Sequence, residues 1–474
     1  MKRFFKALGK YFADFGTAVS KGDIWVKLSL FIMGMGYIGR GQVIKGLLVT
    51  ALEAGFALFT IKISWPYITK LSTLGTVQRE EVFDPLTMSK TVNDYDNSLL
   101  ILLMGVLGIV IIAAFIFIYI ANIKAAYRTM LLKKEGKHLN NFREDLRELV
   151  NDKFHITLLS LPALGVVFMC ILPIIFMVCI AFTNYDAAHQ PPSQLFSWVG
   201  WKNFITLFAN KQGSTFGYAF GKILIWTLIW VALATVTTYI GGILLAMLIN
   251  HQDTKLKKMW RTLFVITIAI PQFVTLLLIS KMFGNYGIVN GILQRMHIIS
   301  FLQNLGWIST SYVPFMTSSG LTHVMIILIN IWVGVPYQML IATGILMNIP
   351  SDQLESARID GANKFQIFWK ITMPYMLFIT GPSLVTSFIG NINNFNVIYL
   401  LTGDFVTSDG SLAAANAKDV DLLITWLFKI TSESVTKQYY MASVIGIIVF
   451  IICATLTLVT YSRMIKGDNE EVFQ

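Results

Sequence analysis

Long apolar runs separated by short polar links dominate this chain. A membrane-crossing helix needs roughly 20 mainly apolar residues. Eight stretches meet that need, at about 43–63, 98–121, 156–182, 222–249, 262–283, 321–347, 372–401 and 440–463. Ahead of them, residues 1–22 place Phe4, Leu8, Phe12, Phe15 and Val19 on one helical face with lysines elsewhere, which predicts a helix in the membrane interface. The next run, Leu28 to Ile38, is too short to span and stops at Arg40. It predicts an interfacial or re-entrant segment and not a cleavable signal, because no small-residue cleavage site follows it. One polar link stands out: Asn348 to Pro374, NIPSDQLESARIDGANKFQIFWKITMP, is a charged island between two apolar runs.

Composition agrees with this pattern. The chain is 55% hydrophobic and 13% charged, with mean hydropathy +0.64, far from a soluble average. The net charge of +11 is distributed as a membrane topology requires. Segment 123–155 carries Lys124, Arg128, Lys133, Lys134, Lys137, Arg143, Arg147 and Lys153, and 250–261 carries Lys255, Lys257, Lys258 and Arg261. The intervening loop 184–221 has only Lys202 and Lys211, and 284–320 only Arg295. Lys2, Arg3, Lys6 and Lys10 at one end and Arg463 and Lys466 at the other join the basic side. Eight spans with both termini in the cytoplasm satisfy this alternation and place 348–372 there too. A nucleic-acid partner is not needed to explain the basic charge.

Several apparent motifs dissolve on inspection. Cys170, Cys179 and Cys453 all sit in apolar spans without paired spacing, and the six histidines are scattered, so neither metal nor disulfide is indicated. Gly34-Met-Gly36-Tyr-Ile-Gly39 spells a dinucleotide fingerprint, but no βαβ context surrounds it and Glu53, the acid at a suitable distance, lies in a span. Helix packing or backbone flexibility explains these glycines better. Gly217-Tyr-Ala-Phe-Gly221-Lys222 lacks one spacer and the Ser/Thr of a P-loop. No nucleotide motif is present, so any ATP must act through another subunit.

The polar island has its own internal logic. Pro350 and Ser351-Asp352 make a helix start, and Asp352 with Glu355 is a capping-box-like pair. A short helix is predicted over about 352–359, broken at Asp360-Gly361, where glycine tolerates a left-handed backbone. A second helix presents Phe365, Phe368, Trp369 and Ile371 to a membrane or a partner groove, and Pro374 disturbs the start of the next span. On spacing alone, a surface helix–turn–helix link and a docking element fit equally well.

The residues Glu355-Ser-Ala357-Arg-Ile-Asp360-Gly361-Ala362, followed by Phe365, Phe368, Ile371, Thr372 and Pro374, resemble the EAA loop of ABC importer permeases. Ser356 stands at the family's first alanine and Met373 at its leucine, both mild departures. The resemblance implies that Glu355, Ala357, Asp360, Gly361 and Ala362 belong to a coupling helix seated in a cleft of an ATPase subunit, with Glu355 pairing a basic residue there and Gly361 permitting the tight turn. Leu161-Pro162-Ala163, Pro173, Phe182-Thr183-Asn184-Tyr185 and Val199-Gly200-Trp201-Lys202-Asn203-Phe204 extend the likeness to carbohydrate permeases, most nearly the MalF-type maltose/maltodextrin subunit. This implies an all-α polytopic fold of eight transmembrane helices with a six-helix, MetI-like (type I) core. Some relatives carry a large folded insertion after the third span, where this chain has only about 38 residues (184–221).

A substrate path can be argued from two sides. The stretch Ser387-Phe-Ile-Gly390-Asn391-Ile-Asn393-Asn394-Phe395-Asn396 is unusually polar for mid-span. At about 100° per residue Ser387, Asn391 and Asn394 share one narrow face, with Gly390 at its edge. Neutral amides and a hydroxyl suit sugar hydroxyls, but asparagine also joins membrane helices by hydrogen bonds. Both readings stand on the residues alone. The resemblance favours the first: it implies that Ser387, Gly390, Asn391, Asn394 and Asn396, with Val333, Gly334 and Tyr337 of the preceding span, line a sugar site. Tyr337 would stack on a pyranose ring. Gly390 replaces a bulky aromatic of the best-known maltose member, which implies a wider site and passage of longer or differently linked oligosaccharides.

Intramembrane charges complete the inventory. Glu53, Lys62 and Lys281 suit an ion-coupled carrier in principle, although Lys62 and Lys281 lie close enough to span ends to snorkel and Glu53 lies outside the shared core. The expected organisation is an interfacial segment 1–42, two spans within 43–122, a basic linker 123–155, a permease domain 156–465 with its coupling loop at 350–372, and a tail 466–474. The expected partners are two ATPase subunits, a second homologous permease, an extracytoplasmic sugar-binding protein, an oligosaccharide substrate and membrane lipid. Such a subunit breaks no bond and needs no cofactor. An ion-coupled sugar transporter is the rival reading, and a membrane-anchored scaffold a third.

Overall fold

The computed structural model describes residues 2–84, 89–209 and 215–466. The expected tail beyond Lys466 and Lys211 fall outside them. The chain divides into two compact units, Met1–Gly200 and Trp201–Gln474. Among the described residues, seven helices are long and apolar enough to cross a membrane: Val43–Lys70, Ser98–Lys134, Phe154–Ala181, Thr215–Asn250, Ser319–Leu346, Lys364–Leu401 and Tyr439–Thr460. An eighth is a bent pair, Lys257–Ala269 and Gln272–Met282, broken by 92°. Every expected span therefore has its helix, and the fold is an all-α polytopic one. A short antiparallel hairpin, Glu81–Asp84 with Ser89–Val92, is the exception, in the link between the first two spans.

In the first unit, the second span, Ser98–Lys134, is a helix of 37 residues. At 1.5 Å per residue that is about 55 Å, nearly twice a hydrocarbon core. The N-terminal helix Lys2–Lys21 and the apolar run after it fold onto its second half. The Tyr119 hydroxyl donates to Leu30 O at 2.8 Å, and Asn122 Nδ2 donates to Met33 O at 2.8 Å. Ala18, Val26, Ile123, Ala126 and Met130 form the small core beneath. The three fingerprint glycines serve packing: a Cβ at Gly34 would strike Gly46 O, one at Gly36 the Ala126 methyl, and one at Gly39 the Trp25 indole. Glu53 accepts the Met33 N–H at 2.8 Å, so the deepest intramembrane acid has a structural partner.

Proline leaves a common mark on three spans. A π-turn precedes Pro66 (Thr60–Ser64), Pro173 (Val167–Ile171) and Pro374 (Phe368–Thr372). Proline has no N–H and its ring collides with the carbonyl one turn back. A wider turn absorbs that collision while the remaining backbone groups keep partners, as a spanning helix must.

The second unit is held together by its fourth and sixth spans. A Cβ at Gly242 would overlap Gln338, and one at Gly334 would lie 2.9 Å from a Thr238 methyl. Small residues at such seams let helix backbones approach closely. One apolar cluster joins Trp226, Trp230, Ile326, Ile329, Val397 and Ile398. Another joins Tyr239, Ile243, Met339, Phe368, Met373 and Met376. The third span falls in the first unit, so the expected permease domain, 156–465, draws its helices from both units.

Candidate functional site

The polar island folds into two short helices, Ser351–Ile359 and Lys364–Ile367. The first starts at Pro350 without a side-chain cap, so the expected Asp352–Glu355 box does not form. The proline at the N-cap, with an extended ψ of 126°, starts the helix instead. Its end is a Schellman closure: Ala362 N–H donates to Ala357 O at 2.9 Å and Gly361 N–H to Arg358 O at 3.1 Å. Gly361 sits at φ +79°, and nothing lies within 4 Å of a Cβ built there. Glycine is required here by backbone conformation, not by crowding. The capping box appears one helix later, where Asn363 and Gln366 exchange hydrogen bonds of 2.8 Å.

The side chains of this element divide sharply. Ile359 is 85% and Phe365 71% exposed, and Trp369 is also exposed. Glu355 and Asp360 face outward, with Ala357 and Ala362 half-buried. Among the described residues, neither Glu355 nor Asp360 has an ion-pair partner. Phe368 differs from its expected outward role: it is buried, packed with Tyr239, Ile243 and Met339. The wide π-turn at Phe368–Thr372 rotates this ring inward while Phe365 and Trp369 remain outside.

The expected sugar-site residues do not share one cavity. Val333 and Tyr337 line a cavity of about 620 Å³ formed against the break of the fifth span. Trp332, Thr267, Gln272 and Thr275 line it as well. Periodicity and motif do not single out these four, and Pro271 and Gln272 inside an apolar run are the only signal of the break. A break at membrane depth leaves backbone groups that need either protein or a wet cavity. Gly334 faces the Thr238 seam instead of this cavity.

The residues of the seventh span lie apart from that cavity. Asn391 Nδ2 donates to Thr235 Oγ1 of the fourth span at 2.9 Å, and the Asn391 carbonyl accepts the Trp230 indole N–H at 3.1 Å. Asn394 breaks the helix: its Oδ1 caps the next turn at Val397 N, 3.3 Å away, and its Nδ2 reaches Asn391 Oδ1 at 3.4 Å. The Ser387 hydroxyl donates to Ser383 O at 3.0 Å. Gly390 and Asn396 are exposed, and nothing lies within 4 Å of a Cβ at Gly390. The structure thus brings Asn391 and Asn394 together, as the helical spacing predicts, and engages Asn391 in a bond between spans and Asn394 in the cap of its own span's next turn.

Eight spans, one of them broken beside a cavity, with a self-closed surface element between the sixth and seventh, define a polytopic transport protein. Residues 239–465 match the family described as binding-protein-dependent transport system inner membrane component. The maltodextrin transport system permease protein MdxF of Bacillus subtilis is 33% identical over 443 residues, 93% of this chain and 95% of that protein. The galactooligosaccharides transport system permease protein GanP of the same organism is 30% identical, covering 93% of this chain and 97% of that protein. A solved bacterial ABC transporter that imports the acidic polysaccharide alginate shares the fold, with TM-score 0.50 and 20% identity over 68% of this chain and 99% of that one.

The chain belongs to the family of binding-protein-dependent ABC importer permeases. It is a multi-pass inner-membrane transport subunit and not an enzyme, with ATP hydrolysis falling to a partner ATPase. The ion-coupled reading is set aside by this membership.

Proposed function

We propose that this chain forms half of the translocation pathway for maltodextrin-type oligosaccharides. A second homologous permease supplies the other half, two ATPase subunits drive it from the cytoplasm, and an extracytoplasmic sugar-binding protein delivers the substrate. Both termini lie in the cytoplasm, where residues 350–372 meet the ATPase. The observation that carries this reading is the division of the 351–372 element. Glu355, Ile359, Phe365 and Trp369 point outward, whereas Phe368 is locked into the ends of the fourth and sixth spans. Force applied to the outer side chains would pass through Phe368 and Met373 to helices carrying Tyr337 on one side and Ser387–Asn396 on the other. Tyr239 reinforces that link through its hydroxyl, 2.7 Å from Thr380 Oγ1 of the seventh span.

The substrate class rests on the chemistry of the two surfaces. The cavity at the broken span offers Trp332 and Tyr337 as rings for apolar sugar faces and Gln272, Thr267 and Thr275 for hydroxyls. Val333 completes its wall, and Gly334 sets how closely the sixth span approaches the fourth. Ser387, Gly390 and Asn396 supply a second, neutral polar surface, to which Asn391 and Asn394 add the amide capacity that Thr235 and Val397 leave unused. Gly390 leaves open space that favours chains longer than a disaccharide. Galacto-oligosaccharides are the alternative cargo, favoured by the comparable likeness to GanP. The test is ATP-dependent uptake by the reconstituted complex in proteoliposomes, screened over malto- and galacto-oligosaccharides of graded length. Strict preference for a disaccharide, or uptake without ATP, would count against this function.

A further inference from the structure

A second polar cavity, of about 310 Å³, lies at the far end of the seventh span. Its ionisable lining comes from Lys281, Tyr399, Asp404, Lys418, Lys429 and Glu433. Resting on the oligosaccharide reading above, we infer that this cavity is a further glycosyl subsite, holding the outer units of a long oligosaccharide while its leading units reach the Asn391–Asn396 stretch.

Three features support a neutral polyhydroxyl ligand. The first is charge balance: with Lys429 neutralised by Asp421, the two ammonium groups of Lys281 and Lys418 face the two carboxylates of Asp404 and Glu433, a lining without the net charge that would select a metal cation or a phosphate. The second is unspent hydrogen-bonding capacity. Lys429 is consumed by the buried Asp421, at 2.6 and 2.8 Å from its two oxygens. Lys418 is not: its Nζ donates to Thr402 O at 2.9 Å and Gly403 O at 3.1 Å, which leaves its third proton. Glu433 uses one oxygen, accepting the Tyr399 hydroxyl at 2.8 Å, and Lys281 approaches only Asp404, loosely at 3.7 Å. Donors and acceptors thus stand side by side, as a sugar with adjacent hydroxyls needs.

The third feature is placement. Tyr399 stacks on Phe395 with centroids 4.7 Å apart, and Phe428 meets both rings edge-on. This aromatic column runs along the same short helix, Phe395–Leu401, that Asn394 caps. Asn396, which is exposed, precedes Tyr399 by three residues, about 4.5 Å of rise and about 60° of turn, so the two share a face of this helix. An extended chain would lie along the helix, with its units bound at both ends.

The experiment compares wild type with Lys281→Ala/Glu433→Ala and with Tyr399→Phe in the reconstituted complex. Uptake of malto- and galacto-oligosaccharides of two to six units is measured, with assembly checked by co-purification of the ATPase. Lys281 is exposed and Tyr399→Phe retains the ring column, so both variants should assemble. The expected result is a fall of about tenfold in the ratio of hexasaccharide to disaccharide uptake for the double variant, with a smaller fall for Tyr399→Phe. An unchanged ratio in a complex that still imports sugars overturns the subsite alone. Equal loss at every length assigns these residues a structural role and also overturns it. If wild type imports neither series, the oligosaccharide reading fails and the subsite falls with it.

Discussion

Two polar interruptions of this membrane bundle look equally functional in sequence, yet they use their hydrogen bonds in opposite ways. Residues 351–372 close their backbone on themselves, through the Schellman turn at Gly361 and the Asn363–Gln366 box, and leave Glu355, Ile359 and Phe365 outward. Residues 387–396 turn polar groups inward: Asn391 reaches Thr235 on the fourth span, and Asn394 caps the next helical turn. A self-satisfied backbone frees its side chains for a partner. An irregular backbone inside the bundle uses them to hold itself together.

The strongest way to break this comparison is at the turn. Gly361→Val places a branched side chain at φ +79°, where a left-handed residue costs roughly 1–2 kcal/mol or more. ATP-driven uptake is expected to fall at least tenfold, while the melting temperature of the isolated permease drops by no more than this backbone strain accounts for, because Cβ meets nothing. A large loss of melting temperature would show that the turn is structural. Next in size, Glu355→Lys should abolish co-purification of the ATPase without altering permease folding. Retention of the ATPase would remove Glu355 from the docking surface.

Asn391→Ala sharpens the other side. It removes the bond to Thr235, and an interhelical bond of this kind is worth about 0.6 kcal/mol and up to roughly 1.7. A lowered melting temperature in detergent, with uptake falling no more than stability explains, would mark Asn391 as a helix joint. Loss of uptake at unchanged stability would restore it as a sugar contact.

The smallest effect concerns pH. The Tyr218 hydroxyl, at 2.8 Å, and the Lys222 ammonium hold the Asp409 carboxyl down to about 2. Burial pushes Asp419 upward, but Lys222 at 2.7 Å and the Thr407 hydroxyl at 2.6 Å outweigh it and leave the group below the ordinary range. Depressed carboxylates contribute stability above their unfolded pKa, near 4, and lose it as pH falls through the folded value. Thermal melting should therefore weaken from pH 4 toward pH 2, and Lys222→Met should flatten that slope.

Much of this was legible in the chain. The eight apolar runs became eight spans because a bilayer imposes one length and one polarity on whatever crosses it. Gly361 was readable because a positive φ next to a helix end has few occupants. Pro271 was visible, but a proline in a span predicts a disturbance and not its size, so the 92° break and its cavity were missed. Helical spacing places Phe368 outward because it assumes an α-turn, whereas Pro374 enforces a wider one.

The sequence by itself determined the class of protein, the number of spans and the turn that closes the surface element. These follow from local chemistry: apolar length, charge alternation and backbone freedom. Only the tertiary structure decided which polar residues have capacity to spare. Asn391 and Gly334 are committed to Thr235 and Thr238, whereas Tyr337 opens onto a cavity beside the broken span. Donors and acceptors are properties of a residue, but whether they are already engaged is decided by what packs beside them.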